Sequence, residues 1–138
     1  MPNGIDLILA DHETVATLFD EFATTGDATL IGQIICELTA HDQAEHAALY
    51  PLAATLLDDA APLDRALVAH AGVKQMIDHL KAQEAQPLVD AVAALRALVE
   101  EHVAEEEEKL LPALQEAATA EQLDELGGRL LQAKQRVG

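Results

Sequence analysis

Two eleven-residue stretches, HDQAEHAALYP (41–51) and HVAEEEEKLLP (102–112), share one pattern: a His, a Glu four residues on, and a Pro ten residues after the His. The copies lie 61 residues apart. On a helix, residues i and i+4 share a face, so each copy aims an imidazole and a carboxylate in one direction. The surrounding residues are spaced as helices throughout, with no strand-like alternation bounded by turn signals. The chain must therefore fold so that two helices carry paired polar groups on faces that are otherwise apolar. The palette agrees. Half of the residues are apolar, yet there is no Trp, one Tyr (Tyr50) and two Phe (Phe19, Phe22), so a core of Leu, Val, Ile and Ala is expected.

Turn signals divide the chain into five predicted helices. The first runs from about Ile5 to Thr24 and stops before Gly26. The second runs from about Ala28 to Leu57, with Pro51 expected to kink it or shorten its last turns. Asp58, Asp59 and Pro62 mark a turn, and Pro62 opens a third helix to about Gln83. Pro87 opens a fourth, to about Ala117, with Pro112 late in it. A fifth, about 120–137, follows a capping-box signature of Thr119 and Gln122, and the pair Gly127-Gly128 is expected to weaken its middle. Short connections favour antiparallel neighbours. The expected fold is all-α: an antiparallel up-down four-helix bundle over about 5–117 with an additional C-terminal helix, in one domain spanning 1–138.

Each of the four bundle stripes carries a His near its middle. They read Ile5, Ile8, Leu9, His12, Val15, Ala16, Phe19; Ile34, Leu38, His41, Glu45, Ala48, Leu52; Leu63, Leu67, His70, Val73, Ile77, Leu80; and Leu95, Leu98, Val99, His102, Glu106, Leu110, Ala113. Six polar groups thus point inward. Burying one unpaired polar group costs roughly 1–3 kcal/mol, and a charged carboxylate costs more. Six at one level would consume a net stability of ~5–15 kcal/mol. A hydrogen-bond network could satisfy them but does not need this repeat. Metal ions fit the set: imidazole with carboxylate suits Fe, Mn or Zn, and no thiolate ligands are offered. His12 with His41 can serve one ion and His70 with His102 the other, with Glu45 and Glu106 shared.

The net charge of −17 argues against nucleic acid or anionic membrane as a partner. The single Cys36 excludes an intrachain disulfide and is expected to be buried within the apolar run 30–38. The N-terminus lacks the basic region of a secretion signal and no segment has the apolar run of a membrane span, so a cytoplasmic location is expected.

The order His12; His41 with Glu45; His70; His102 with Glu106 resembles the hemerythrin-like, or HHE cation-binding, family, and most resembles its small stand-alone actinobacterial and mycobacterial members. The resemblance covers about 5–117. It implies two Fe ions, oxo- or hydroxo-bridged, inside the bundle, with His12, His41, Glu45, His70, His102 and Glu106 as metal ligands. It implies reaction with hydrogen peroxide, O2 or NO, as catalase-like breakdown of peroxide or as nitric oxide peroxidase chemistry linked to oxidative stress. The alternative it allows is an oxygen- or iron-binding, sensing or storage protein without turnover. One departure stands out. Oxygen carriers of the family have a second His one turn after the third-helix His, and here that residue is Lys74, a poor ligand while protonated. This tilts the expectation from carrier to oxidoreductase. Tyr50 is a candidate replacement ligand, although on an ideal helix nine residues turn it half a revolution away from His41. His46 and His79 lie off the stripes and are expected at the surface or beside the ligands, and Lys74 could favour a bound anion. No catalytic residue is expected beyond the ligands. A monomer or weak homodimer is expected. A third possibility is an acidic helical adaptor that holds no metal.

Overall fold

The computed structural model describes residues 3–82 and 88–137, and the described secondary structure is entirely helical. The predicted helix limits at Gln83 and Pro87 fall outside the described residues. Local chemistry sets most of the other ends. Helix α1 (Gly4–Thr25) starts where Asn3 Oδ1 accepts the Ile5 N–H at 2.8 Å. It stops at Gly26, whose φ of 65° is left-handed and whose N–H bonds the Phe22 carbonyl. Asp27 accepts from both the backbone and the hydroxyl of Thr29, at 3.0 and 2.8 Å, where α2 (Thr29–Ala44) begins. Asp59 does the same for the Ala61 N–H, at 3.0 Å, ahead of α4 (Ala61–Ala82). Thr119 and Gln122 form the predicted reciprocal box, at 2.8 and 3.1 Å, and launch α7 (Ala120–Val137). That helix runs unbroken through Gly127-Gly128. Buried Leu123, Leu126, Leu130 and Ala133 on both sides of the pair hold it together.

The prolines do not shorten their helices. Helix α2 passes into a π turn (Glu45–Leu49) and continues as α3 (Tyr50–Leu56). In the same way α5 (Leu88–Glu105) passes through a π turn (Glu106–Leu110) into α6 (Leu111–Ala117). Neither Pro51 nor Pro112 ends its helix. A proline ring collides with the carbonyl four residues back. The π turn before each one widens the helix there, so the Tyr50 N–H bonds the Glu45 carbonyl five residues earlier, and Leu111 bonds Glu106 likewise.

Four rods make the bundle: α1, α2–α3, α4 and α5–α6. Helix α1 packs on α2, and α4 on α5, while α7 lies against α1, α2 and the first π turn. Gly4 permits this close approach, since a Cβ there would lie 2.9 Å from Leu126 Cβ. The core falls into two apolar clusters. One holds Ile5, Ile8, Leu49, Leu110, Leu114 and Leu126, and the other holds Val15, Phe19, Phe22, Ile34, Leu80 and Leu95. Along the chain, His12, His41, His70, His102 and Glu106 fall between residues of one cluster and residues of the other, and Glu45 lies one turn from His41, so the six form a polar belt through the bundle. Three stripe expectations change. Leu9, Ala16 and Leu67 are exposed, because each lies at the edge of its helix's inward face, and Ala66 takes the buried place beside His70. Cys36 is exposed, because two residues past the buried Ile34 the helix has turned most of the way to its outer face. Among the described residues no helix is long and apolar enough to cross a membrane.

Candidate metal centre

His12 comes from α1, His41 from α2, His70 from α4 and His102 from α5, while Glu45 and Glu106 each open a π turn. All six are buried, and the two glutamates are 0% and 1% exposed. Their donor atoms fall into two groups, each within 4.8 Å: His12, His41, Glu45 and Glu106; and Glu45, His70, His102 and Glu106. Both carboxylates belong to both groups. Glu45 Oε1 lies 3.1 Å from His41 Nε2 and 2.9 Å from His70 Nε2. Glu106 lies 3.3 Å from His12 Nε2 and 3.1 Å from His102 Nε2. The six residues singled out in the sequence thus lie together in one place, His12 with His41 and His70 with His102, with both glutamates in each group.

The donor set fits cations. Among the described residues, His12 Nε2, His41 Nε2, Glu45 Oε2 and Glu106 Oε1 are buried with no hydrogen-bond partner, and all four residues belong to these two groups. Such orphans are costly, and a cation in each group would satisfy them together. Protons hold the same place otherwise. Burial works to lower the His41 pKa, but the Glu45 charge and the bond with Asp11 outweigh it and raise the imidazole to about 10. Burial likewise opposes, and Asp42 and Glu45 raise, His70 to about 9. Burial alone would raise Glu45, yet the His41 charge and the neighbouring Glu106, His41 and His70 side chains hold it well below the usual carboxylate range.

Behind three of the four histidines stands a carboxylate that the sequence reading missed. Asp11 Oδ2 lies 2.9 Å from His41 Nδ1, Glu107 Oε2 lies 2.7 Å from His12 Nδ1, and Asp42 Oδ1 bonds His70 Nδ1. Each one neighbours a predicted ligand in sequence and serves the ligand of another helix. Lys134 of α7 grips the second oxygen of Asp11. A carboxylate on Nδ1 fixes the tautomer and leaves the Nε2 lone pair facing inward, as metal-binding histidines require.

A family model for the hemerythrin HHE cation binding domain matches residues 3–114. This chain belongs to that family. Its fold is also that of a crystal structure of a hemerythrin HHE cation-binding domain-containing protein from Mycobacterium kansasii, with a TM-score of 0.83 at 22% identity over 99% of this chain and 88% of that one. A curated relative, a DNA nickase of Nostoc sp. (strain PCC 7120), is 29% identical over 96% of this chain. The chain spans only 39% of that relative's length.

The hemerythrin-like centre also takes in Tyr50, which corrects the helical-wheel expectation. The π turn inserts one residue before Tyr50 and swings it back by about 100°. Its hydroxyl is buried 2.6 Å from His70 Nε2, 3.3 Å from Glu45 Oε1 and 3.5 Å from Glu106 Oε2. Burial and the charges of Glu45 and Glu106 push its pKa far up, so it keeps its proton. The equivalent residue after the second π turn is Leu111, packed in the apolar core. His46 is exposed, with Nε2 3.2 Å from Asp42 Oδ1, and so sits behind His70 as expected. His79 is exposed. Lys74 is exposed at the lining of a cavity of about 200 Å³ that reaches all four histidines between walls of Val15, Leu38, Ile77 and Val99.

Proposed function

We propose that this hemerythrin-like chain is a non-haem di-iron protein that breaks down hydrogen peroxide, two molecules of peroxide giving two of water and one of oxygen. The observation that carries the reading is the pair of donor groups sharing buried Glu45 and Glu106 beneath an apolar cavity. His12 and His41 would hold one ion, His70 and His102 the other, and both glutamates would be common to the two. Bound iron would supply redox capacity and Lewis acidity. The chain's residues do the rest. Valine and isoleucine walls exclude bulk water and keep the reactant small. Lys74 at the cavity lining attracts an anion in an otherwise acidic protein. The Tyr50 hydroxyl holds a proton beside His70 Nε2 and is an additional candidate ligand on that side.

Loading the metal-free protein with iron, adding hydrogen peroxide and following oxygen evolution tests this. Turnover above an equal amount of free iron is expected, and its absence refutes the reading. A reversible adduct formed on exposing the reduced protein to oxygen, and lost under vacuum, would favour a carrier instead. The DNA nicking named for the Nostoc relative is not carried over, because a net charge of −17 opposes approach to a phosphate backbone.

A further inference from the structure

We infer that the two halves of the centre are unequal: the His12–His41 half binds its cation more tightly and fills first, because His102 lacks the carboxylate that fixes every other ligand histidine. The inference rests on the metal-centre reading above. It comes from the chain's own internal repeat, in which α1 corresponds to α4 and α2 with its π turn to α5 with its π turn. His12 and His70 are 58 residues apart, so the residue equivalent to Asp11 is Ala69. Asp11 supports His41, but Ala69 offers no acceptor to His102, and among the described residues His102 Nδ1 is buried with no hydrogen-bond partner. Its Nε2 faces inward, 2.8 Å from His70 Nε2 and 3.1 Å from Glu106 Oε2, so the ring is held only from the inside, whereas His41 is also held from behind by Asp11.

The two flanks differ in the same sense. On the first, α7 covers α1 and α2, and Lys134 holds Asp11 in place. On the second, Val68, Ala69, Gly72, Leu98 and His102 line an open cleft, and Val68 is 74% exposed. A Cβ added at Gly72 would meet nothing within 4 Å, so the cleft has room for a larger side chain. Outer partners of metal-bound histidines are worth about 10–100-fold in affinity, which sets the size of the expected inequality.

The test is an anaerobic titration of the metal-free full chain with Co(II), read by calorimetry and by absorption. Two phases are expected, the first about tenfold or more tighter than the second. His12→Ala should remove the tight phase and His70→Ala the weak one. Ala69→Asp should tighten the weak phase about tenfold and leave the other unchanged, while Asp11→Asn should weaken the tight phase by a similar factor in a protein whose helical signal is intact. Repeating the titration in Tyr50→Phe separates any contribution of the phenol to the weaker half. Two equal phases, loss of the tight phase in His70→Ala, or a folded Ala69→Asp with unchanged affinities would overturn the inference and leave the metal centre standing. A folded wild-type chain that takes up no Co(II) would overturn both.

Discussion

Replacing Tyr50 by Phe removes one oxygen from the middle of the polar belt. Of its three contacts only the one to His70 Nε2, at 2.6 Å, is a good hydrogen bond, since those to the glutamates are 3.3 and 3.5 Å long. His70 Nε2 is not orphaned by the change, because Glu45 Oε1 remains 2.9 Å away and His102 Nε2 2.8 Å away. The loss is therefore that of one net hydrogen bond, about 1 kcal/mol, rather than the larger penalty of an unsatisfied buried donor. For a chain of 138 residues that corresponds to a fall in Tm of roughly 3–4 °C in the metal-free protein. Tyr50 keeps its proton well beyond neutral pH and its partner His70 titrates only near 9, so the difference should be the same at pH 6 and pH 7. Thermal melts of both metal-free proteins at the two pH values measure it. A loss above about 3 kcal/mol would mean that the phenol holds the belt together in a way these distances do not show. A gain in stability would mean that its burial is uncompensated.

Other expectations concern pH, packing and the thiol. In the metal-free protein, His41 and His70 are raised above their unfolded value of 6.5, so they contribute stability that is complete below pH 6.5 and lost as pH rises through about 9 and 10. Asp11, Asp42 and Glu45 are lowered, and their contribution disappears as pH falls from about 4. Metal-free stability should therefore peak between about pH 5 and 6.5, whereas the loaded protein needs neutral imidazoles and should hold its stability above that range; melting curves that run parallel with and without metal would contradict this. Gly4→Ala should destabilise by about 1–2 kcal/mol through its clash with Leu126, and Gly72→Ala, in open space on α4, should stabilise by roughly 0.5–1 kcal/mol. Denaturant midpoints that move in the same direction would refute the pair. Cys36 should react with a thiol reagent in the native state, and Cys36→Ser should change stability by less than about 0.5 kcal/mol.

The fold and the six-residue set were legible because helical periodicity reports which face is inward, and polar groups on such a face stand out. Tyr50 was misplaced because one inserted residue in a π turn resets the wheel. The repeated proline was the available signal: Pro51 pointed to a kink or a shortened last turn, but not to an inserted residue. Asp11, Asp42 and Glu107 were hidden among 25 acidic residues, most of them solvated. Their adjacency to ligands becomes informative only when the crossing of the helices is known. Cys36 was misread because an apolar run was treated as uniformly buried, although a helix turns such a run through both faces. For α7 the sequence marked the start, at Thr119 and Gln122, but not the rods it would cover.

The belt between the two apolar clusters gives the chain a dependence on supply. Each half of the core is closed by hydrocarbon at its own level, but the seam joining them is held by protonated imidazoles against carboxylates when no cation is bound, with several buried atoms left unpaired. Any species that binds only the folded form adds stability in proportion to the logarithm of its concentration over its dissociation constant. The chain's resistance to proteases should therefore track cation availability: short-lived when the cation is scarce and durable when it is plentiful. The persistence of the protein would then itself be a record of the metal around it.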